Sequence, residues 1–163
     1  MSSWLDVALL AVLIVLNGVF AMSEISLVTS RRARLQRLID DKVAGAERAR
    51  ELNADPNRAL STIQVGITSI GILSGIVGES ALARPMEAFL VMVGLSPETA
   101  KAIGLFVVVV LITYFSIVMG ELVPKRIGQI SPERIACRLA PPIHCLSIIA
   151  APFVKIGRAS CRE

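Results

Sequence analysis

The chain has 163 residues, of which 54% are apolar and 18% charged, and its mean hydropathy is positive. A water-soluble globule of this size does not carry so much apolar sequence with its charge confined to a few stretches. The net charge of +4 would suit nucleic acid, but only 4% of the residues are aromatic and the bases lie beside apolar runs, which indicates membrane orientation instead. The length accommodates one membrane domain with three spans of about 20 residues each.

The first predicted span covers residues 4–30. It opens on Trp4, an interfacial residue type, and continues as an apolar run that is interrupted at Asn17 and Gly18. A cleaved signal peptide is the alternative, but the positive charge follows the apolar run instead of preceding it. We therefore predict a retained membrane helix.

Polar residues near the end of this span are candidates for function. Glu24 shares a helical face with Asn17, while Ser23, Ser26 and Ser30 form an adjacent stripe. A carboxylate inside a span costs about 3 kcal/mol on insertion scales, so it needs a partner or a purpose. The alternative is that the serines bond to carbonyls of their own helix and that Glu24 pairs with an arginine.

Residues 31–58 carry eight Lys or Arg and five acids. Apolar residues recur there at helical spacing, which predicts an amphipathic interfacial helix over residues 31–55. By the positive-inside rule this segment lies in the cytoplasm, and the N-terminus lies outside.

The second predicted span covers residues 59–78 and is rich in small and hydroxylic residues. Gly71 and Gly75 lie four residues apart on one stripe, an arrangement that lets a neighbouring backbone approach closely. We predict that this stripe mainly serves packing. The following connection has few bases and fits the outer side, and Ser96-Pro97 predicts the start of the next helix.

The third predicted span covers residues 102–123 and ends with Gly120, Glu121 and Pro124. Proline has no N–H, so the carbonyl four residues earlier, that of Gly120, loses its donor. A free carbonyl beside a carboxylate suits hard cations such as Mg²⁺ and Na⁺. The alternative is that Glu121 pairs with Lys125 at i+4.

The last predicted element is an interfacial helix over residues 131–155. Ser131-Pro132-Glu133 has the pattern of a helix start, and Pro141-Pro142 is expected to interrupt the helix. The rest is too short for a fourth span. Residues 156–163 match the conceptual translation of a common sequencing-library adapter, so we expect an artefact there and a natural protein that continues beyond about Lys155.

Signatures of enzymes are absent from the sequence. There is no Walker, dinucleotide-binding or zinc-protease pattern, and the single histidine, His144, argues against imidazole metal sites and His-based triads. Cys137 and Cys145 are eight residues apart, without a second pair at metal spacing, and are expected to be ordinary thiols. We predict that the protein is not an enzyme and does not bind nucleic acid.

Three motifs in order carry a family resemblance: residues 17–28 (NGVFAMSEISLV), 61–68 (STIQVGIT) and 120–125 (GELVPK). With them the chain resembles, over residues 4–155, the membrane domain of the CorB/CorC (cyclin M, CNNM) magnesium transporters, also labelled hemolysin-like. The resemblance implies an all-α integral membrane domain with three transmembrane helices plus juxtamembrane helices. It also implies a homodimer in the inner cell membrane and cytoplasmic CBS modules that are missing from this chain.

The resemblance further implies Mg²⁺ efflux coupled to Na⁺, by alternating access. The implied metal ligands are Ser23, Ser26, Thr68 or Ser69, Gly120 and Glu121. Structural or gating roles are expected for Asn17, Glu24, Gly71, Gly75, Pro124 and Lys125. Eukaryotic members have asparagine in the second-helix motif, where this chain has Ile67 and Thr68, so the second-helix ligands differ from that pattern. The alternative function is a Mg²⁺ sensor or scaffold that regulates other transporters without transporting, and a lytic toxin is not expected.

Overall fold

The computed structural model describes residues 3–149, which are helical almost throughout and contain no strand. The all-α prediction is confirmed. The helices are α1 (Ser3–Thr29), α2 (Arg32–Asp40), α3 (Ala46–Ala54), α4 (Pro56–Gly78), α5 (Arg84–Met92), α6 (Pro97–Ile117), α7 (Val123–Ile130) and α8 (Pro132–Ile149). A π-helical turn, Glu79–Ala83, joins α4 to α5, and a second one, Val118–Leu122, joins α6 to α7.

Three helical stretches of the described chain are long and apolar enough to cross a bilayer: Trp4–Thr29, Ala59–Met92 and Pro97–Ile130. Their large apolar side chains point outward in many places; Phe106 is 70% exposed and Ile76 is 63% exposed. Such surfaces are stable in lipid and unfavourable in water. The chain is therefore a multi-pass membrane protein, as the sequence predicts.

The chain divides into two compact units. Within the described residues, the first unit comprises residues 3–18 and Thr68–Leu122, and the second comprises Val19–Ile67 and residues 123–149.

One cluster of buried apolar residues belongs to the second unit. It joins the end of α1 and the start of α4 to the juxtamembrane helices α2, α3 and α8. Alanines supply much of it, which lets these helices approach closely. Its members are Leu27, Leu35, Ala46, Ala49, Leu52, Ala59, Ile63, Ala136, Cys137, Ala140 and Ile143.

The segment predicted as one interfacial helix forms two, α2 and α3. The chain leaves α2 through Lys42, whose φ of 56° lies in the left-handed region. The Lys42 N–H donates to the Ile39 carbonyl and the Val43 N–H to the Leu38 carbonyl, which is the Schellman arrangement that ends a helix. Gly45, at φ 81°, then starts α3. Since lysine is not the usual residue at such a position, the hydropathy pattern does not indicate the break.

The interruption predicted at Pro141-Pro142 does not occur, because α8 runs through both prolines to Ile149. Pro141 leaves the Cys137 carbonyl without its helical donor. Gly45 packs directly against this carbonyl, and a Cβ at residue 45 would collide with it. The backbone at Gly45, in the same unit, thus lies close to the carbonyl that has lost its donor. The end of the interfacial segment and the adapter-like residues 156–163 lie outside the described range.

The helix start predicted at Ser96-Pro97 is confirmed. α6 begins at Pro97, and the Thr99 N–H donates to the Ser96 side chain at 3.5 Å. A turn with Gly94 at φ 104° separates it from α5. The N-cap and the proline at the first helical position therefore define this boundary, as their general preferences predict.

Candidate functional site

The break in the third span is the centre of the candidate site in the first unit. Residue 124 is proline, so the Gly120 carbonyl has no N–H donor four residues on, and it accepts a hydrogen bond from Asn17 Nδ2 at 3.1 Å. A Cβ at Gly120 would lie 3.1 Å from Asn17 Nδ2 and 3.4 Å from the Ile14 carbonyl oxygen. A side chain at residue 120 would thus be in tighter than ordinary contact with α1, so glycine suits this close approach. Such turns in helices occur often at functional sites.

The oxygen of the Asn17 amide differs from the nitrogen in having no hydrogen-bond partner among the described residues. Asn17 Oδ1 is buried, and no hydrogen-bond donor reaches it from residues 3–149. A buried amide oxygen without a donor costs about 1–3 kcal/mol, so it is a candidate for binding something else. Glu121 follows Gly120 on the same turn and is partly buried. An amide oxygen, a backbone carbonyl and a carboxylate thus come from two short segments of the first unit.

The predicted second-helix residues are at the surface of the first unit. Thr68 and Ser69 are exposed, and Gly71 and Gly75 are exposed as well. A Cβ added at either glycine would meet nothing within 4 Å apart from its own helical turns, as far as the structure describes the chain. The glycines and Ser74, all in α4, line a cavity of about 290 Å³ together with residues of α6. The ligand roles of Thr68 and Ser69 and the packing role of the glycines stay predictions.

The predicted serine ligands lie in the second unit, and both are buried. Ser23 Oγ donates to the Val19 carbonyl at 2.7 Å, and Ser26 Oγ donates to the Met22 carbonyl at 2.6 Å. This is the bonding that the alternative interpretation expects. A hydroxyl that donates its proton still has oxygen lone pairs, so these bonds are compatible with a cation ligand. The ligand roles of both serines stay predictions.

Ser26 also lies where α1 crosses α7. Its Oγ is 3.4 Å from the Gly128 carbonyl oxygen, and a Cβ at Gly128 would lie 2.9 Å from the Met22 carbonyl oxygen. Gly128 therefore allows the two helices to approach at this point. This contact supports a packing contribution from Ser26 in addition to any contact with an ion.

The intramembrane acid Glu24 pairs with a lysine of α7. Lys125 Nζ lies 3.4 Å from Glu24 Oε2. The Lys125 side chain is 32% exposed and the Glu24 side chain is 25% exposed. The alternative interpretation expected an arginine as the partner, whereas the observed partner lies about 100 residues away in sequence. Pro124, the neighbour of Lys125, is buried at the start of α7.

Three polar residues of the second unit were not predicted to be important. Thr62 is buried in α4. Asn53 Nδ2 donates to the Leu27 carbonyl at 2.8 Å, close to the end of α1, where helix carbonyls need donors. Glu133 is buried and accepts a hydrogen bond from the Arg31 N–H at 3.3 Å. Glu133 could be recognised as a first-turn acid, but no local pattern indicates the other two.

Within residues 3–149, no group of three His, Cys, Asp or Glu side chains lies close enough to hold a metal ion. The polar atoms of the candidate site in the first unit are the Asn17 amide oxygen, the Gly120 carbonyl oxygen and the Glu121 carboxylate. Oxygen ligands of this kind suit hard cations and do not suit zinc or copper.

Residues 8–161 match the family model of the Cyclin M transmembrane N-terminal domain. The chain belongs to this family. The resemblance drawn from the three sequence motifs is therefore confirmed, and the candidate site lies on a membrane domain of a known family.

Several curated relatives cover almost the whole chain. It is 43% identical over 152 residues to the UPF0053 protein sll0260 of Synechocystis, which covers 93% of this chain and 34% of the relative. It is 33% identical over 154 residues to the UPF0053 protein YhdT of Bacillus subtilis, covering 94% and 33%. It is 32% identical over 142 residues to the polyamine export protein of Escherichia coli K12, covering 87% and 32%. The chain thus spans about a third of the length of these relatives.

Proposed function

We propose that this cyclin M domain carries Mg²⁺ across the inner cell membrane as a homodimer, by alternating access and in exchange for Na⁺. In this proposal the N-terminus is outside, and residues 31–58 and the C-terminal region are cytoplasmic, where the CBS modules of the full-length protein would follow. Membership of the family supports transport in general. The observation that supports a cation most directly is the buried Asn17 Oδ1 next to the Gly120 carbonyl.

The chemistry of this group of oxygens favours a hard cation. Mg²⁺ binds oxygen ligands and gives up its water reluctantly, so a site that takes it in must offer several oxygens of fixed position. Asn17 Oδ1 is held in place because Nδ2 of the same amide bonds to Gly120. Broken transmembrane helices present carbonyl oxygens to ions in the same way.

Export of a polyamine is the second candidate, since relatives at 32% identity bear the name polyamine export protein. A polyamine is a flexible cation whose ammonium groups donate hydrogen bonds, so amide, carbonyl and carboxylate acceptors could bind it as well. It differs from Mg²⁺ in size and in keeping no coordination geometry. A Mg²⁺ sensor is the third candidate. It would bind Mg²⁺ without moving the ion across the membrane.

Transport assays on the purified full-length protein in vesicles distinguish these functions. Mg²⁺ flux is measured with and without a Na⁺ gradient, and flux of a radiolabelled diamine is measured in parallel. We expect Mg²⁺ flux that depends on the Na⁺ gradient and is not matched by diamine flux. Diamine flux without Mg²⁺ flux would select the polyamine function. Mg²⁺ binding without flux of either cation would contradict transport and leave the sensor.

A further inference from the structure

A basic pocket of the second unit lies where two candidate spans end. Its volume is about 360 Å³, and it lies between α2 and the junction of α7 with α8. α2 follows directly on Trp4–Thr29, and α8 follows directly on Pro97–Ile130. The pocket is therefore at the depth where spanning helices leave the hydrocarbon, which is the depth of lipid headgroups.

Three arginines, Arg34, Arg37 and Arg134, and two acids, Asp41 and Glu133, line this pocket. Glu133 is buried, accepts the Arg31 N–H and lies 3.8 Å from Arg34, so its charge is already engaged by the protein. Arg37 and Arg134 are exposed. The lining thus keeps an excess of positive charge that is accessible from outside.

An apolar wall adjoins the arginines. Ile130 is 75% exposed, and Leu38 is partly buried beside it in the lining. A soluble phosphate has no apolar group that could contact this surface. A phospholipid has one, because its acyl chain follows the headgroup into the membrane.

A larger cavity of about 800 Å³ in the same unit provides a comparison. Arg32 and Arg50 line it together with Glu47 and Glu51, so its charges balance. Its apolar lining consists of alanines. It therefore has neither the excess charge nor the large apolar side chain of the smaller pocket.

We propose that the pocket formed by Arg34, Arg37 and Arg134 binds the headgroup of an anionic phospholipid, with an acyl chain against Ile130. Guanidinium groups bind phosphate oxygens through paired hydrogen bonds and attract them by charge. Basic pockets between helices at the cytoplasmic face are suited to such headgroups. A bound lipid would fix the junction of the spans with α2 and α8.

Native mass spectrometry of the full-length protein in detergent tests this proposal. The protein is titrated with phosphatidylglycerol and, separately, with phosphatidylcholine. The variant R37Q/R134Q removes two charges from the pocket, and R32Q/R48Q removes two from exposed positions of the same juxtamembrane region outside it. We expect R37Q/R134Q to weaken phosphatidylglycerol binding about tenfold or more and R32Q/R48Q about twofold or less. Melting temperatures of both variants verify that they are folded.

Three results would overturn the proposal. Equal weakening in both variants would show a general charge effect. Equal affinity for phosphatidylcholine would show that the anionic headgroup is not recognised. Displacement of the lipid by an equal concentration of glycerol 3-phosphate would show that the ligand is a soluble phosphate.

Discussion

Pro124 and Pro141 each remove a backbone donor within a helical region of this domain, and the two regions respond differently. Near the end of the third span the Gly120 carbonyl, released by Pro124, accepts the side-chain amide of Asn17. In α8 the Cys137 carbonyl, released by Pro141, packs against Gly45. The first response leaves a buried oxygen, Asn17 Oδ1, without a donor from residues 3–149.

The difference separates a functional defect from a structural one. Both carbonyls lose the hydrogen bond from the N–H four residues on. Only the Gly120 carbonyl receives a polar side chain in its place, that of Asn17, whose own oxygen accepts no hydrogen bond from the described residues. At Cys137 the neighbour is a backbone without a side chain, in the middle of the apolar core. We therefore expect changes at Gly45 to affect folding and changes at Asn17 to affect transport.

Gly45→Ala should have the largest effect on stability. The new Cβ would collide with the Cys137 carbonyl, and alanine is strained at a φ of 81°. Together these effects should lower the free energy of unfolding by about 3 kcal/mol. Thermal unfolding in detergent measures the change. Gly94→Ala is the matched control, because Gly94 has a φ of 104° and no atom of the described chain within 4 Å of a Cβ. Equal losses in both variants would refute the close contact at Cys137.

Loss of the Glu24–Lys125 ion pair, next to Pro124, should lower the free energy of unfolding by less than Gly45→Ala does. Both side chains keep partial exposure, and pairs of this kind contribute about 1 kcal/mol or less. A double-mutant cycle of Glu24→Gln and Lys125→Gln, followed by thermal unfolding, isolates the pair. We expect a coupling energy of about 0.5–1 kcal/mol. A coupling of zero would show that the two charges do not interact.

The thiol next to the α8 defect should react more slowly than an exposed one. Burial raises the pKa of the Cys137 thiol, and the nearby charge of Glu133 raises it further, whereas Cys145 is exposed. A raised pKa keeps the thiol protonated to higher pH, so less of the reactive thiolate is present at pH 7. In a background without other cysteines, we expect maleimide to label Cys145 about ten times faster than Cys137 at pH 7. Equal rates would contradict the burial of Cys137.

The fold class and the family follow from sequence because they depend on local patterns. Apolar length predicts the three spans, and Ser96-Pro97 predicts the start of α6. The break between α2 and α3 was not predictable, because it depends on Lys42 in a conformation that lysine rarely adopts. The continuity of α8 through Pro141-Pro142 was also not predictable, because prolines inside a helix ordinarily interrupt it.

The candidate site shows the same limit. The sequence predicts that Pro124 releases the Gly120 carbonyl, and it places Asn17 on a polar face of the first span. It does not pair them, because the two residues are 103 positions apart and only the folded chain brings them together. Likewise, an arginine was the expected partner of Glu24, since arginines follow it closely, but the lysine of α7 pairs with it.

Mg²⁺ flux through the Asn17→Ala variant of the full-length protein tests the central claim most directly. The substitution removes both the donor to Gly120 and the buried Oδ1. Loss of the donor to the Gly120 carbonyl costs about 1–3 kcal/mol, and removal of the unsatisfied Oδ1 offsets it by a similar amount, so the melting temperature should change little. Because the substitution also removes a proposed oxygen ligand of the cation, we expect flux to fall about tenfold or more. Asn57→Ala, an exposed asparagine at the start of α4, is the control and should keep its flux. Unchanged flux in folded Asn17→Ala protein would contradict the assignment of this site.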